Sequence, residues 1–150
     1  MKDAALHALR WETLHDPVDG GRLFTSERVI LSRYIDSLDT SPIDLRTLRQ
    51  FKTLVVVAAP TNPEAYGLAP IDVAGEIIRA RAALGTLRPT ILTRDETGAP
   101  VTLAALGQAL RGGVDVLYLV AHGQFLEGRP YLCLEQQDGT AVWVDGEQVV

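Results

Sequence analysis

The sequence predicts an α/β fold on a parallel sheet, and three observations carry the prediction. Residues 54–59 form an unbroken apolar, β-branched run stopped by Pro60. Two segments of helical period follow, alternating with further apolar runs, and a third run at 114–121 closes the series. A strand apolar at every position is buried on both faces, as in the middle of a parallel sheet. Strands joined through helices of about three turns require right-handed crossovers. In such sheets the loops at the carboxyl ends of the strands are where ligands bind.

Taken in order, Leu6, Leu9, Trp11 and Leu14 mark a short helix or a turn-rich apolar segment. An Asp-Pro-Val-Asp-Gly-Gly turn at 16–21 precedes an apolar stretch at 28–35, and a hairpin-like pair of short strands is expected there. Residues 36–52 are mixed in pattern, with Ser41-Pro42 at a turn, and read as a linker. An amino-terminal segment and linker (1–52) is thus separated from a βαβαβ core plus hairpin (53–150). After the first strand, Asp72 caps a helix that carries Val73, Ile77, Ala80 and Leu84 on one face and ends at Gly85. Residues 90–93 make a second strand. Thr102 caps a second helix with Leu103, Leu106 and Leu110 aligned and Gly112 just past its end. Beyond the third strand, 131–135 and 140–144 pair as a β-hairpin around Asp138-Gly139. Asp145, with Gln148 in the capping-box position, starts another helix at the last residues, so the sequence is expected to stop before its fold does.

Composition bounds the function. At 150 residues and 16.3 kDa the chain is one domain's worth, enough to bury about 68% of its unfolded surface. Apolar residues at 47% and charged residues at 22% exclude a disordered or fibrous chain. The formal charge of −5, with no lysine or arginine cluster, argues against nucleic acid as a partner. Cys133 is the only cysteine, which excludes an intrachain disulfide and a CxxC or Cys/His zinc site and suits a reducing cytoplasm. No apolar run reaches the roughly 18 residues of a membrane span, and no signal-peptide core follows Met1. A cytoplasmic domain without membrane contact is expected.

The strongest functional position is His122-Gly123, directly after the third strand. An imidazole at that rim can act as general acid or base, and a glycine beside it allows close approach of its backbone N–H to a reacting carbonyl. The bland alternative is a histidine that hydrogen-bonds a loop. Other constellations fall away. There is no G-x-S-x-G elbow, no P-loop and no G-x-G-x-x-G after the first strand. Glu64, Asp72, Glu76 and Glu96 are scattered, without the spacing of metal or glycosidase chemistry. His7 and His15 read as surface or packing residues, Trp11 and Trp143 as packing, and Arg33, Arg94 and Arg129 as solvated cations. Neither cofactor nor metal is expected.

The string Asp115-Val116-Leu117-Tyr118-Leu119-Val120-Ala121-His122-Gly123, followed by Leu132-Cys133-Leu134-Glu135 and Asp138-Gly139, resembles the histidine-bearing segment of CHAT domains. The Trp11-Glu12-Thr13-Leu14 stretch, the first core strand at 54–60 and Glu76 in the first core helix match the family in the same order. CHAT domains are caspase-like and are often joined to tetratricopeptide repeats. The resemblance implies a caspase-like parallel sheet and a cysteine peptidase with a His/Cys dyad at the ends of adjacent strands. His122 would be the general base or acid and the Gly123 N–H part of the oxyanion hole. Protein or peptide would be the substrate, with repeat or other proteins as partners. The family's nucleophile follows a further helix and strand, which this sequence does not contain. Cys133 lies on an alternating strand with Tyr131 and Glu135, where a thiol would meet His122 only if the intervening loop folded back, and it reads as a packing residue. Two readings follow: a peptidase portion that carries the histidine without the nucleophile, and a non-catalytic scaffold that self-associates through its open sheet edge.

Overall fold

A computed structural model describes residues 13–23, 46–47 and 50–148. The chain divides into two units, residues 1–43 and 44–150. In the first unit the expected turn is present. The Asp16 N–H donates to the Gly21 carbonyl at 2.7 Å, the Asp16 carboxylate accepts from the Val18 N–H, and His15 and Arg22 form an isolated antiparallel bridge. The expected apolar segment around Leu6, Leu9 and Trp11, the strand at 28–35 and most of the linker lie outside the described residues.

The second unit begins with β1 (Thr53–Val57), buried at every position as its apolar run requires. Helix α1 (Val73–Leu84) follows, with the Asp72 carboxylate accepting from the Gly75 N–H and Gly85 at its end. Next come β2 (Thr90–Leu92), a one-turn helix α2 (Arg94–Thr97) that the periodicity does not predict, and α3 (Leu103–Arg111), capped by the Thr102 hydroxyl on the Ala105 N–H. Strand β3 (Val116–Val120) completes a parallel sheet of order β2-β1-β3, in register Val55 with Ile91 and Tyr118. Alternation along β1 divides the core. Val55 and Val57 face α1 through Ile77 and Ala80, while Leu54 and Val56 face α3 through Leu106. The helix stripes expected from sequence are the ones that pack.

The expected hairpin is present as β5 (Arg129–Glu135) and β6 (Ala141–Asp145). A further strand, β4 (His122–Leu126), precedes it, so the antiparallel sheet has order β4-β5-β6. Glu127 and Gly128, at φ 50° and 82°, form the two-residue connection from β4 to β5 with the left-handed backbone of a type I′ turn. Leu134 and Val144 pack in the same cluster as Leu54 and Leu106, so one face of this sheet completes the α3 side of the core. After Asp145 the chain turns into a short 3-10 helix (Gly146–Gln148), with the Glu147 N–H on the Asp145 carboxylate. Among the described residues no helix is long and apolar enough to cross a membrane.

Candidate active site

The chain runs from β1 outward to β2, then crosses to the other side of β1 to form β3. This reversal places a topological switch point between the carboxyl ends of β1 and β3, where open α/β sheets form their ligand crevice. The Ala58 N–H still pairs with the Val120 carbonyl at 2.9 Å, and two residues later the chain reaches His122. His122 therefore follows the carboxyl end of β3 beside this switch point, half-buried, as the first residue of β4.

His122 is held from outside its own sheet. Its Nε2 lies 2.8 Å from the Ala69 carbonyl, in the loop between β1 and α1. A carbonyl only accepts, so Nε2 carries a proton and Nδ1 is the nitrogen with a free lone pair in the neutral ring. Gly123, next in β4, has no positive φ. A Cβ there would meet only the Tyr131 carbonyl, at 3.6 Å, so the glycine leaves its surface open to close approach.

Strand register brings Cys133 directly opposite His122 and Trp143 opposite Cys133. Paired residues in an antiparallel ladder share a face, with Cβ atoms about 4.5–5.5 Å apart. The condition set by the sequence, that thiol and imidazole meet only if the intervening segment folds back, is met by the β4–β5 hairpin, which makes them cross-strand neighbours; the strand β4 itself is what the sequence pattern did not show. Proximity does not activate the thiol. Cys133 is fully buried, and burial, reinforced by the Glu135 charge, pushes its pKa up against a weaker opposing hydrogen bond from Val142. Raised pKa and lack of access both disfavour the thiolate that nucleophilic attack requires.

The loop between β1 and α1 is pinned across this face of the antiparallel sheet. Asn62 Oδ1 accepts from the Ala141 N–H at 2.7 Å, the Thr61 N–H donates to the Gly139 carbonyl, and Tyr66 packs edge-on against Trp143 with ring centroids 6.4 Å apart. The deepest anchor is Glu135, 1% exposed. Its carboxylate accepts from the Ala59 N–H at 2.9 Å, the Val101 N–H at 3.2 Å and the Arg94 guanidinium at 2.5 Å. Arg94 also reaches the Gly139 carbonyl at 3.0 Å. Glycine is required at 139, where φ is +86° and a Cβ would overlap the guanidinium.

Arg94, expected to be solvated, is therefore an ion-pair partner of a buried carboxylate, and Glu135 was missed as a site-building residue. The signal was faint: an acid ending an apolar alternation, with its cation forty-one positions earlier. Arg129 makes an exposed pair with Asp145 at 3.4 Å, Glu76 pairs with Arg79 at 2.7 Å on α1, and Arg33 and His7 lie outside the described residues. His15 is exposed and its Nδ1 hydrogen-bonds the Thr13 carbonyl. Among the described residues no group of three or more His, Cys, Asp or Glu is placed to hold a metal ion.

No curated protein and no solved structure matches the chain. A family model described as the CHAT domain matches residues 1–149. A match of that extent takes in the amino-terminal segment, both sheets and His122, and the chain belongs to the caspase-like CHAT domain family.

Proposed function

We propose that this chain is the histidine-bearing part of a CHAT cysteine peptidase domain acting on protein or peptide substrates in the cytoplasm. His122 exchanges the proton of a nucleophilic thiol and of the leaving amine through Nδ1, and the Gly123 N–H helps bind the oxyanion of the tetrahedral intermediate. The nucleophile is a cysteine other than Cys133. The single observation that carries the reading is the Nε2–H bond to the Ala69 carbonyl, which leaves Nδ1 free just past the carboxyl end of β3, in a chain that belongs to a caspase-like family. Fixing one ring nitrogen on an acceptor is what a general base needs in order to present the other with a defined orientation.

The test uses the full-length gene product. A thiol within about one helix and one strand past Val150 is expected to react with iodoacetamide, and His122→Ala is expected to slow both this alkylation and peptide cleavage by about 100-fold or more. Residues 1–150 alone are expected to cleave nothing. A gene product with Cys133 as its sole cysteine, or alkylation unchanged by His122→Ala, defeats the reading.

A second reading, a non-catalytic scaffold that associates with copies of itself or with other proteins such as tetratricopeptide repeats, is favoured by one feature. Strand β3 has β1 as its only partner strand among the described residues, and Leu117 on it is 42% exposed. An apolar edge of this kind pairs readily with another chain.

A further inference from the structure

At the opposite end of the parallel sheet from His122 lies a cavity of about 300 Å³. It opens between the first residues of β1 and β2, Thr53 and Thr90, and the turn Gly112-Gly113 that joins α3 to β3. That volume is at the small end of those that hold small molecules. The lining has a clear polarity. Lys52 and Arg88 are its charged residues, and no acid lines it. Arg88 has no ion-pair or hydrogen-bond partner among the described residues, and the Lys52 ammonium donates to a neutral acceptor, the Gly112 carbonyl, at 2.8 Å. The nearest acid in sequence, Asp115, is already engaged by Arg46 and by the Lys52 backbone N–H. In a chain of net charge −5, two cations around one acid-free cavity form a local reversal of sign. Phe51, Leu54 and Val114 supply an apolar wall. Thr53, which also lines the cavity, carries the one buried side-chain polar atom among the described residues that has no partner.

We propose that this cavity binds a small organic oxyanion, a carboxylate or a phosphate monoester, with its charged head between Lys52 and Arg88 and a short apolar body against Phe51, Leu54 and Val114. Arg88 contributes a planar fork of donors suited to an oxyanion, and Lys52 a point charge. The site is independent of the proton chemistry assigned to His122, because it lies at the amino ends of the same strands.

The experiment titrates residues 1–150 with inorganic phosphate, phenyl phosphate and benzoate at fixed ionic strength, following amide shifts by NMR. Saturable shifts at Thr53, Thr90, Gly112 and Gly113 are expected, with a Kd for phenyl phosphate or benzoate at or below about 1 mM. Whichever of the two binds more tightly identifies the head group, and inorganic phosphate is expected to bind at least about threefold more weakly than that better ligand. Arg88→Gln and Lys52→Gln are each expected to weaken binding about tenfold, with the remaining spectrum unchanged. Arg81→Gln, on the outer face of α1, is expected to leave binding as it was. Shifts that do not saturate, or binding unaltered by Arg88→Gln, would overturn the site. Equal affinity for inorganic phosphate and for the better organic ligand would overturn its assignment to an organic molecule.

Discussion

Glu135 shows how one side chain can join two sheets. It sits on β5 of the antiparallel sheet, yet its carboxylate holds the Ala59 N–H just beyond β1 and the Val101 N–H just before α3. Replacing it by glutamine leaves a single acceptor for two backbone donors and turns an amide toward Arg94. Breaking a buried pair from one side typically costs about 3–5 kcal/mol, and because Arg94 is 30% exposed on its side chain the lower end applies. Glu135→Gln is therefore expected to lower unfolding free energy by about 3 kcal/mol in urea. A loss under about 1 kcal/mol would show that the carboxylate is replaceable there. Cys133 yields a prediction of opposite character. Burial holds its thiol protonated and out of reach, so alkylation at pH 8 is expected to be slow in the native chain and rapid in denaturant, with the rate following global opening. The linkage sign agrees: a folded-state pKa above the unfolded value adds stability that is complete below the unfolded pKa and is lost as pH rises through the folded one.

Among the elements, β1, α1 and α3 were legible because each shows an unambiguous period bounded by a cap or a breaker. Strand β4 was not. His-Gly-Gln-Phe-Leu has neither the alternation nor the β-branched content of a strand, Phe125 is 73% exposed, and the segment is extended because β5 pairs with it. Its hairpin turn was hidden for a related reason. The type I′ geometry favours Asn-Gly or Asp-Gly, and Glu127 occupies the first position at φ 50°. Missing β4 also hid the adjacency of His122 and Cys133, since register alone creates it. Glu127→Asn is thus expected to raise stability by about 0.5–1 kcal/mol, read as a higher urea midpoint at unchanged slope. No gain, or a loss, would mean that Glu127 makes a compensating contact. At the other end of the core, Asp115 ties the entrance of β3 to that of β1. The Lys52 N–H and then the Arg46 guanidinium hold its carboxyl below the ordinary carboxylate value of 3.8. A depressed folded pKa contributes stability above the unfolded value that disappears as pH falls through the folded one. The stability difference between the wild type and Asp115→Asn is expected to shrink as pH is lowered from about 5 to about 2; a difference constant over that range would refute the assignment.

Across the whole molecule, the switch point beside His122 and the open edge have a common origin. Placing β1 between β2 and β3 creates the switch point at which His122 stands, and it also makes β3 an outer strand of the described sheet. The contrast in burial follows from position: β1 is buried at every residue, while Leu117, in register with Leu54, is 42% exposed. The periodicity of the sequence announced β3 as a core strand but carried no information on its order in the sheet, because order is decided by crossovers between distant segments. An outer strand that reads as a core strand offers unpaired backbone groups beside apolar side chains, and two copies can pair there across a twofold axis. Sedimentation velocity of residues 1–150 is expected to show a monomer–dimer equilibrium that moves toward dimer as concentration rises from about 10 to about 500 μM, a range set by a weak interface. Leu117→Lys places a charge on that edge and is expected to hold the chain monomeric throughout. Phe125→Ser, on the exposed β4–β5 hairpin, separates the two apolar surfaces: it should leave the equilibrium unchanged if β3 is the contact. A dimer that survives Leu117→Lys and dissociates with Phe125→Ser would move the interface to the hairpin beside His122, and a wild-type chain that stays monomeric at the highest concentration would remove the support for edge-mediated assembly.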